Sequence, residues 1–177
     1  MTTALEVITQ LLRGFVHRVD SFTELSGRWL AWACLLLALV VGLVVLLRYG
    51  AGVGSIALQE AATYLHAMIF MLGAAYTLKR NGHVRVDIFY RRFSARGKAW
   101  VNSVGCIVFL LPFCVFLLGV SAHFVAEAWR IREGSPDPGG IHGVFLLKTL
   151  IPVMATGLML QCLCELARNL LILLDDR

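Results

Sequence analysis

The stretch WLAWACLLLALVVGLVVLL, from Trp29 to Leu47, decides the fold class, because it holds 19 residues without a charge. A helix rises about 1.5 Å per residue, so a stretch of this length covers roughly the 30 Å hydrocarbon core of a bilayer. We therefore predict a transmembrane helix at 29–48.

Three further apolar stretches follow, and none of them contains a charged residue: 61–78, 99–126 and 149–164. The last is short, so it reaches bilayer thickness only if Lys148 extends its charged end outward and the helix continues through 169–174. Pro112 is expected to kink the third helix, which neighbouring helices can tolerate. We predict spans at 57–78, 99–126 and 147–170.

Composition supports this fold class. Hydrophobic residues make up 59% of the chain, charged residues 15%, and the mean hydropathy is +0.78. Soluble domains carry about a quarter charged residues, so a soluble enzyme is excluded. The net charge of +5 requires no nucleic-acid partner, since basic residues also set the orientation of membrane proteins. The chain is predicted to be an all-α integral membrane protein forming a single membrane domain.

The first 28 residues predict an amphipathic helix lying in the membrane interface. Apolar residues recur there at intervals of three and four: Leu5, Ile8, Leu12, Phe15, Val19 and Phe22. A cleaved signal peptide is the competing interpretation. It fits poorly, because the apolar run starts late, is 19 residues long and has no small-x-small cleavage site.

Basic residues predict the orientation. The N-terminal segment, the 79–98 loop and the C-terminus together hold 12 Lys and Arg residues, whereas the 48–60 and 127–146 loops with their borders hold 4. Positively charged loops stay in the cytoplasm, so both termini and the 79–98 loop are predicted to be cytoplasmic and the 127–146 loop periplasmic.

The sequence carries few signs of catalysis or of a bound cofactor. The five cysteines fall inside predicted spans, and Cys162 and Cys164 project in different directions from a helix, which disfavours a metal site. No Walker A motif is present. A haem bound by His66 and His123 is the main alternative from another class, although their depths match imperfectly. A hydrogen-bonded His66 between helices is favoured instead.

No carboxylate occupies the middle of a predicted span, whereas ion-coupled carriers usually place one there. Glu60 and Glu165 lie at helix ends. A helical membrane protein of this kind is predicted to be a scaffold that serves a partner rather than a transporter by itself.

Several short motifs follow in a characteristic order. Phe70-x-x-Gly73-Ala74-Ala75-Tyr76 follows Glu60, and His83-Val84-Arg85-Val86-Asp87 comes after the second span; Glu133-x-Ser135-x-x-Pro138-Gly139-Gly140 precedes Lys148, Pro152 and Gln161. Over about residues 30–165 this pattern resembles the small membrane subunit of tripartite ATP-independent periplasmic (TRAP) transporters, the DctQ-like family.

The resemblance implies a bacterial cytoplasmic (inner) membrane location and two protein partners. These are a large elevator-type permease subunit, which binds the substrate and sodium, and a periplasmic substrate-binding protein that delivers an organic acid. This chain would be the fixed scaffold, with no catalytic residue, cofactor or metal of its own. Its candidate structural or interface residues are Glu60, Gly73, His83, Asp87, Glu133, Ser135, Pro138, Gly139, Gly140, Lys148, Pro152 and Gln161.

Two pairs of these residues each have two possible interpretations. Glu60 and Lys148 either form an ion pair between helices or each reach water. His83 and Asp87 either pair on one helix face or cap the surface.

The 79–98 loop, with its many arginines, is expected to lie on anionic phospholipids. The 127–146 loop either docks the binding protein through Arg130, Arg132 and Glu133 or is a short crossover between helices.

Overall fold

The computed structural model describes residues 2–83 and 87–175, and every regular element within them is helical. The helices are α1 (Thr2–Gly50), α2 (Ile56–Lys79), α3 (Asp87–Tyr90), α4 (Ala95–Gly105), α5 (Leu111–Arg130) and α6 (Val144–Asp175), and a π-helical turn (Cys106–Leu110) joins α4 to α5. Among the described residues, four stretches are long and apolar enough to cross a membrane: Glu6–Gly50, Ile56–Lys79, Ala95–Arg130 and Val144–Leu174. The predicted all-α class is confirmed, and the four helical stretches have the length and hydropathy that four spans require.

The N-terminal segment and the first span form one continuous helix. Helix α1 runs over 49 residues, and no end separates residue 28 from residue 29. The sequence allows this because residues 2–50 contain no proline to interrupt the helix. Ile8 and Phe22 on the predicted apolar face are 50% and 72% exposed, so these two side chains are not packed in the core of the bundle. The contact of this face with the membrane interface stays a prediction.

Helix α2 begins and ends close to the predicted bounds of 57 and 78. Ser55 caps its start by accepting a hydrogen bond from the Leu58 N–H at 3.4 Å. At its end Asn81 adopts a left-handed conformation with φ of 53°, and the Gly82 N–H donates to the Thr77 carbonyl at 2.9 Å. Asparagine tolerates this conformation better than most residues, so the helix stops there.

The third span contains an irregularity just before Pro112. The Leu111 N–H donates to the carbonyl of Cys106, five residues back, which defines the π turn. Pro112 has no N–H to continue the regular ladder, and the π turn accommodates this within one unbroken span. At Pro112, where the sequence predicted a kink, the helix therefore has a π turn on the N-terminal side of the proline.

Helix α6 is the centre of the bundle, because it packs against α1, α2, α4 and α5. It supplies more of the described buried residues than any other helix: Ala155, Leu158, Gln161, Cys162, Cys164, Ala167 and Asn169. The helix continues through 169–174, as the fourth span requires to reach bilayer thickness. Pro152 lies inside it without ending it.

Small residues let α1, α2 and α6 approach closely, as the Gly73-Ala74-Ala75 patch predicted. A Cβ added at Gly73 would lie 3.9 Å from Leu30 of α1, and one at Gly157 of α6 would lie 3.6 Å from the Ala75 Cβ. The closest approach was not predicted. A Cβ at Gly27 would lie 2.5 Å from Cε2 of Tyr76, so the tyrosine ring fills the space that a side chain would occupy.

Candidate functional site

The loop between α5 and α6 folds into a defined structure on the start of α2. We call the residues that hold it the loop cluster: Glu60, Glu133, Ser135, Gly140, Ile141 and Lys148. All of these except Ile141 were singled out by the sequence, and two further predicted residues, Pro138 and Gly139, lie in the same loop.

The loop begins with a helix-ending motif. Arg132 adopts a left-handed conformation with φ of 49°, its N–H donates to the Trp129 carbonyl at 3.3 Å, and the Glu133 N–H donates to the Ala128 carbonyl at 3.0 Å. These two bonds form the Schellman motif that commonly ends helices, although glycine is the usual residue at the left-handed position. The chain therefore turns back at Arg132, which directs Glu133 toward the bundle.

Residues 137–140 form a tight turn. The Gly140 N–H donates to the Asp137 carbonyl at 3.0 Å, with Pro138 and Gly139 between them, and Gly139 has a φ of 83°. Proline followed by a glycine of positive φ is the preference of a type II turn. Pro138 and Gly139 are exposed at its tip, so they shape the loop rather than pack against helices.

Backbone and side-chain bonds close the loop behind this turn. The Ser135 N–H donates to the Ile141 carbonyl at 3.1 Å, and the Ser135 hydroxyl accepts a hydrogen bond from the Asp137 N–H at 3.1 Å. The same hydroxyl donates to the Glu60 carboxylate. Ser135 therefore joins the two sides of the loop to α2.

Glu60 holds the loop through both of its oxygens. Besides the Ser135 hydroxyl, its carboxylate accepts the Ile141 N–H at 2.6 Å. A hydrogen bond to an ionised group is about twice as strong as one between neutral groups. Gly140 allows the carboxylate to come this close, because a Cβ there would lie 2.7 Å from its Oε1 atom.

Lys148 pairs with Glu133 and not with Glu60. The distance between Lys148 Nζ and Glu133 Oε2 is 2.5 Å, and Nζ also lies 3.9 Å from the centroid of the Phe124 ring. Both charges are partly buried, and the ring attracts the ammonium group through its π face. The predicted Glu60–Lys148 pair is wrong, because the loop comes between them and offers each a nearer partner.

Trp129 fastens the end of α5 to the start of α6. Its indole N–H donates to the Thr149 hydroxyl at 2.8 Å, and its ring meets that of Phe145 edge to face with centroids 4.7 Å apart. Such aromatic pairs contribute about 0.5–1.5 kcal/mol beyond their burial. The loop is thus held at both of its ends.

The three residues predicted to dock a binding protein differ in environment. Arg130 is exposed and pairs with Glu127 at 2.5 Å, and Arg132 is exposed as well. Glu133 is engaged with Lys148 and partly buried, so its role in the loop is to hold the structure. Its role in docking stays a prediction, and a partner that used Glu133 would compete with that ion pair.

A second polar cluster lies at the opposite ends of α2 and α6, where α1 crosses them. We call it the charge cluster: Asp20, Glu24, Lys79, Arg80, Glu165 and Arg168. Arg168 forms a two-bond pair with Asp20 at 2.5 and 2.6 Å and also bonds Glu165.

Glu24 accepts hydrogen bonds from Lys79 at 2.9 Å and Arg80 at 2.5 Å. These bonds tie the N-terminal half of α1 to α2, as the Asp20–Arg168 pair ties it to α6.

Gln161 extends the charge cluster into the bundle. Its side chain is fully buried, its amide nitrogen donates to Asp20 Oδ1 at 3.3 Å, and its amide oxygen accepts from the Thr23 hydroxyl at 3.3 Å. Buried polar groups need such partners, because an unpaired one costs about 1–3 kcal/mol. The predicted structural role of Gln161 fits these bonds between α6 and α1.

Asp20 and Glu24 were missed by sequence reasoning. The apolar residues of the N-terminal helix predicted its contacts, whereas part of its polar face packs on the bundle. Their spacing of four residues, which places both on one side of a helix, was the available signal.

The remaining predicted residues lie elsewhere. Pro152 lines an apolar groove of about 480 Å³ between α1, α2 and α6, together with Phe22, Met71 and Gly157. His83 is exposed, and the segment between it and Asp87, like the Asp87 side chain, lies outside the described residues. Their pairing therefore stays a prediction.

His66 is exposed, so its predicted place between helices of this chain is wrong. His123 is exposed too, whereas a haem held inside the bundle would enclose both rings. In the part of the chain that the structure describes, no group of three or more His, Cys, Asp or Glu side chains could hold a metal ion.

Comparison with known families gives one match. The family model "Tripartite ATP-independent periplasmic transporters, DctQ component" matches residues 37–171. The matched range includes the whole loop cluster but excludes Asp20 and Glu24 of the charge cluster. Comparison with curated proteins and with solved structures finds no match.

Proposed function

This chain belongs to the DctQ family of tripartite ATP-independent periplasmic transporter components, and we propose that it acts in its complex as a fixed scaffold for a large, moving permease subunit. The family membership over residues 37–171 carries this proposal. The large subunit would bind sodium and the organic acid, and a soluble binding protein would deliver that acid.

The state of the carboxylates supports a structural role. Within the described residues, those of the two clusters are all engaged: Glu60 and Glu133 at one end, and Asp20, Glu24 and Glu165 at the other. A carrier needs polar groups that exchange partners as its cargo binds and leaves, and it usually places them at the middle of the membrane. Paired carboxylates at helix ends instead favour rigidity.

The orientation we propose places both chain ends and the 79–98 loop in the cytoplasm and the loop cluster in the periplasm of a bacterial inner membrane. The 12-to-4 distribution of basic residues supports it. Four spans also require the two ends of the chain to lie on the same side of the membrane.

We assign contact with the binding protein to the exposed part of the loop, near Arg130, Arg132 and the 136–139 turn. The loop cluster holds this surface in one shape, which lowers the entropy lost when a partner docks. Charged groups at such a rim speed encounter and set orientation more than they raise affinity.

Reconstituted vesicles test the scaffold proposal. We expect no sodium-driven uptake of organic acids by this chain alone and no uptake by the large subunit with the binding protein alone. Addition of this chain to membranes that contain the large subunit, together with the binding protein, should start sodium-driven uptake. Uptake by the isolated chain would contradict the proposal.

A further inference from the structure

The chain makes a short, well-defined turn between α3 and α4, just before it enters the third span. The Phe93 N–H donates to the Tyr90 carbonyl at 3.2 Å, and the Ser94 hydroxyl caps α4 by accepting the Gly97 N–H at 3.2 Å. We call residues 90–98 the basic elbow. Its second half is the beginning of the stretch from Ala95 to Arg130 that is long and apolar enough to cross a membrane.

Positive charge dominates the basic elbow. It contains Arg91, Arg92, Arg96 and Lys98, and the sequence has no acidic residue from 88 to 126. The side chains of Arg92 and Arg96 are exposed. The charge cluster, in contrast, balances three basic residues with three acidic ones, whereas the exposed Arg92 and Arg96 carry charge that a partner outside the chain can neutralise.

Apolar side chains flank these charges. Ile88, Phe93 and Trp100 are 74%, 44% and 57% exposed. A surface that faced only water would not favour three such side chains beside four cations. An arrangement of aromatic and aliphatic groups next to Arg and Lys is typical of segments at the level of lipid headgroups.

The aromatic residue at the start of the elbow holds part of it in place. The Tyr90 hydroxyl donates to the Asn102 Oδ1 atom at 3.1 Å, and Lys98 Nζ lies 5.6 Å from the centroid of the Tyr90 ring. Tyr90 thereby fastens the turn to α4. The cations are presented by a structured turn rather than by a loose tail.

We propose that the basic elbow binds anionic phospholipid headgroups, with Arg92 and Arg96 as the main contacts and Phe93 and Trp100 anchored among the acyl chains. Negative phosphates complement its charge, and the adjoining span fixes the elbow at the membrane surface. The source is the lipid leaflet rather than free phosphate, because free phosphate offers nothing to the exposed apolar side chains. This site is independent of the transport role proposed above.

Lipid competition on the full chain tests the proposal. The purified protein is placed in nanodiscs of equal parts phosphatidylglycerol and phosphatidylcholine, and native mass spectrometry gives the ratio of the two lipids that remain bound. Each basic side chain near an anionic surface contributes about fivefold to binding. Replacing both arginines (Arg92→Gln with Arg96→Gln) should therefore lower the preference for phosphatidylglycerol by roughly 30-fold.

Two matched pairs of variants control for charge and for folding. Arg92→Lys with Arg96→Lys keeps the charge and should retain most of the preference. Arg130→Gln with Arg132→Gln removes the same charge from exposed positions at the other end of the third span, where Arg130 already pairs with Glu127, and should change the preference little. Added inorganic phosphate should not displace the retained lipid.

Three results would overturn the proposal. The glutamine pair at the elbow could retain the preference, or the Arg130 and Arg132 pair could lose as much. The glutamine pair could also leave lipid retention unchanged but abolish co-purification with the large subunit, which would make the elbow a protein contact.

Discussion

The Ser135 hydroxyl donates a hydrogen bond to the carboxylate of Glu60, which lies 75 positions earlier in the chain. This bond joins the loop between α5 and α6 to the first turns of α2. The Ile141 N–H completes the attachment on the other side of the loop. The loop is consequently a folded part of the bundle, and its sequence motif has a structural explanation.

Removal of either Glu60 or Ser135 should loosen the loop between α5 and α6. We expect Glu60→Ala to lower the free energy of unfolding by more than Ser135→Ala does, because it also leaves the Ile141 N–H without its acceptor. Each lost hydrogen bond to an ionised group is worth about 1.5–3 kcal/mol. Thermal unfolding in detergent and the rate of trypsin cleavage near Arg132 measure the effect.

The double variant Glu60→Ala with Ser135→Ala should lose less stability than the sum of the two single losses, because the two residues share one interaction. Asp137→Asn, at an exposed position of the same loop, serves as the control. Additive losses would show that the two side chains act independently.

Charge exchange should distinguish the two possible partners of Lys148. Glu133→Lys with Lys148→Glu keeps the observed ion pair in reverse and should recover most of the stability lost in either single variant. Glu60→Lys with Lys148→Glu should not recover it, because these residues have different partners. Melting temperatures of the single and double variants provide the comparison. Recovery only in Glu60→Lys with Lys148→Glu would refute the ion pair between Glu133 and Lys148.

Asp20→Asn should release the N-terminal half of α1 from α6. The change weakens the two-bond pair with Arg168 and leaves the partly buried guanidinium with the Glu165 carboxylate but without that of Asp20. We expect a loss of about 1–3 kcal/mol in the free energy of unfolding. Protease sensitivity of residues 2–24 should rise with it.

Glu6→Gln is the control for Asp20→Asn, because Glu6 is exposed on the same helix. Equal effects of the two substitutions would contradict a specific role for the Asp20–Arg168 pair.

Two glycines of α1 should respond to alanine in opposite directions. Gly27→Ala places a Cβ 2.5 Å from Cε2 of Tyr76 and should destabilise the protein by about 1–3 kcal/mol through overpacking. The Cβ added by Gly42→Ala has no neighbouring atom within 4 Å, so this substitution should stabilise the helix by up to about 1 kcal/mol. Thermal unfolding of both variants checks the signs, and a loss at Gly42 or a gain at Gly27 would contradict the packing.

Cysteine labelling tests the proposed orientation. In intact cells an impermeant maleimide should label Asp137→Cys and spare Arg92→Cys, because the basic 79–98 loop is expected in the cytoplasm. Permeabilised cells should allow both to react, and the unsubstituted chain gives the background from its own cysteines. Labelling of Arg92→Cys alone in intact cells would reverse the orientation.

The sequence by itself determined the number of stretches able to span a membrane and, except for the start of the first, their approximate ends. A bilayer requires backbone groups to be bonded within each segment, so apolar stretches of sufficient length become helices whatever their neighbours are. Charged and turn-forming residues then set the limits, as Lys79 does for α2 and the Pro138-Gly139 pair does for the loop. The motif that includes Glu60, Ser135 and Gly140 also identified most of the loop cluster before its bonds were known.

Only the tertiary structure decided which residues face each other. Leu30 is buried and Leu39 is 63% exposed on the same helix, although both are equally apolar, because in a membrane the lipid-facing side is as apolar as the packed side. Hydropathy therefore does not indicate how each helix is rotated. The choice of Glu133 over Glu60 for Lys148, and of Arg168 for Asp20, depends on that rotation and on the path of the loop, which are set by contacts between residues far apart in the chain.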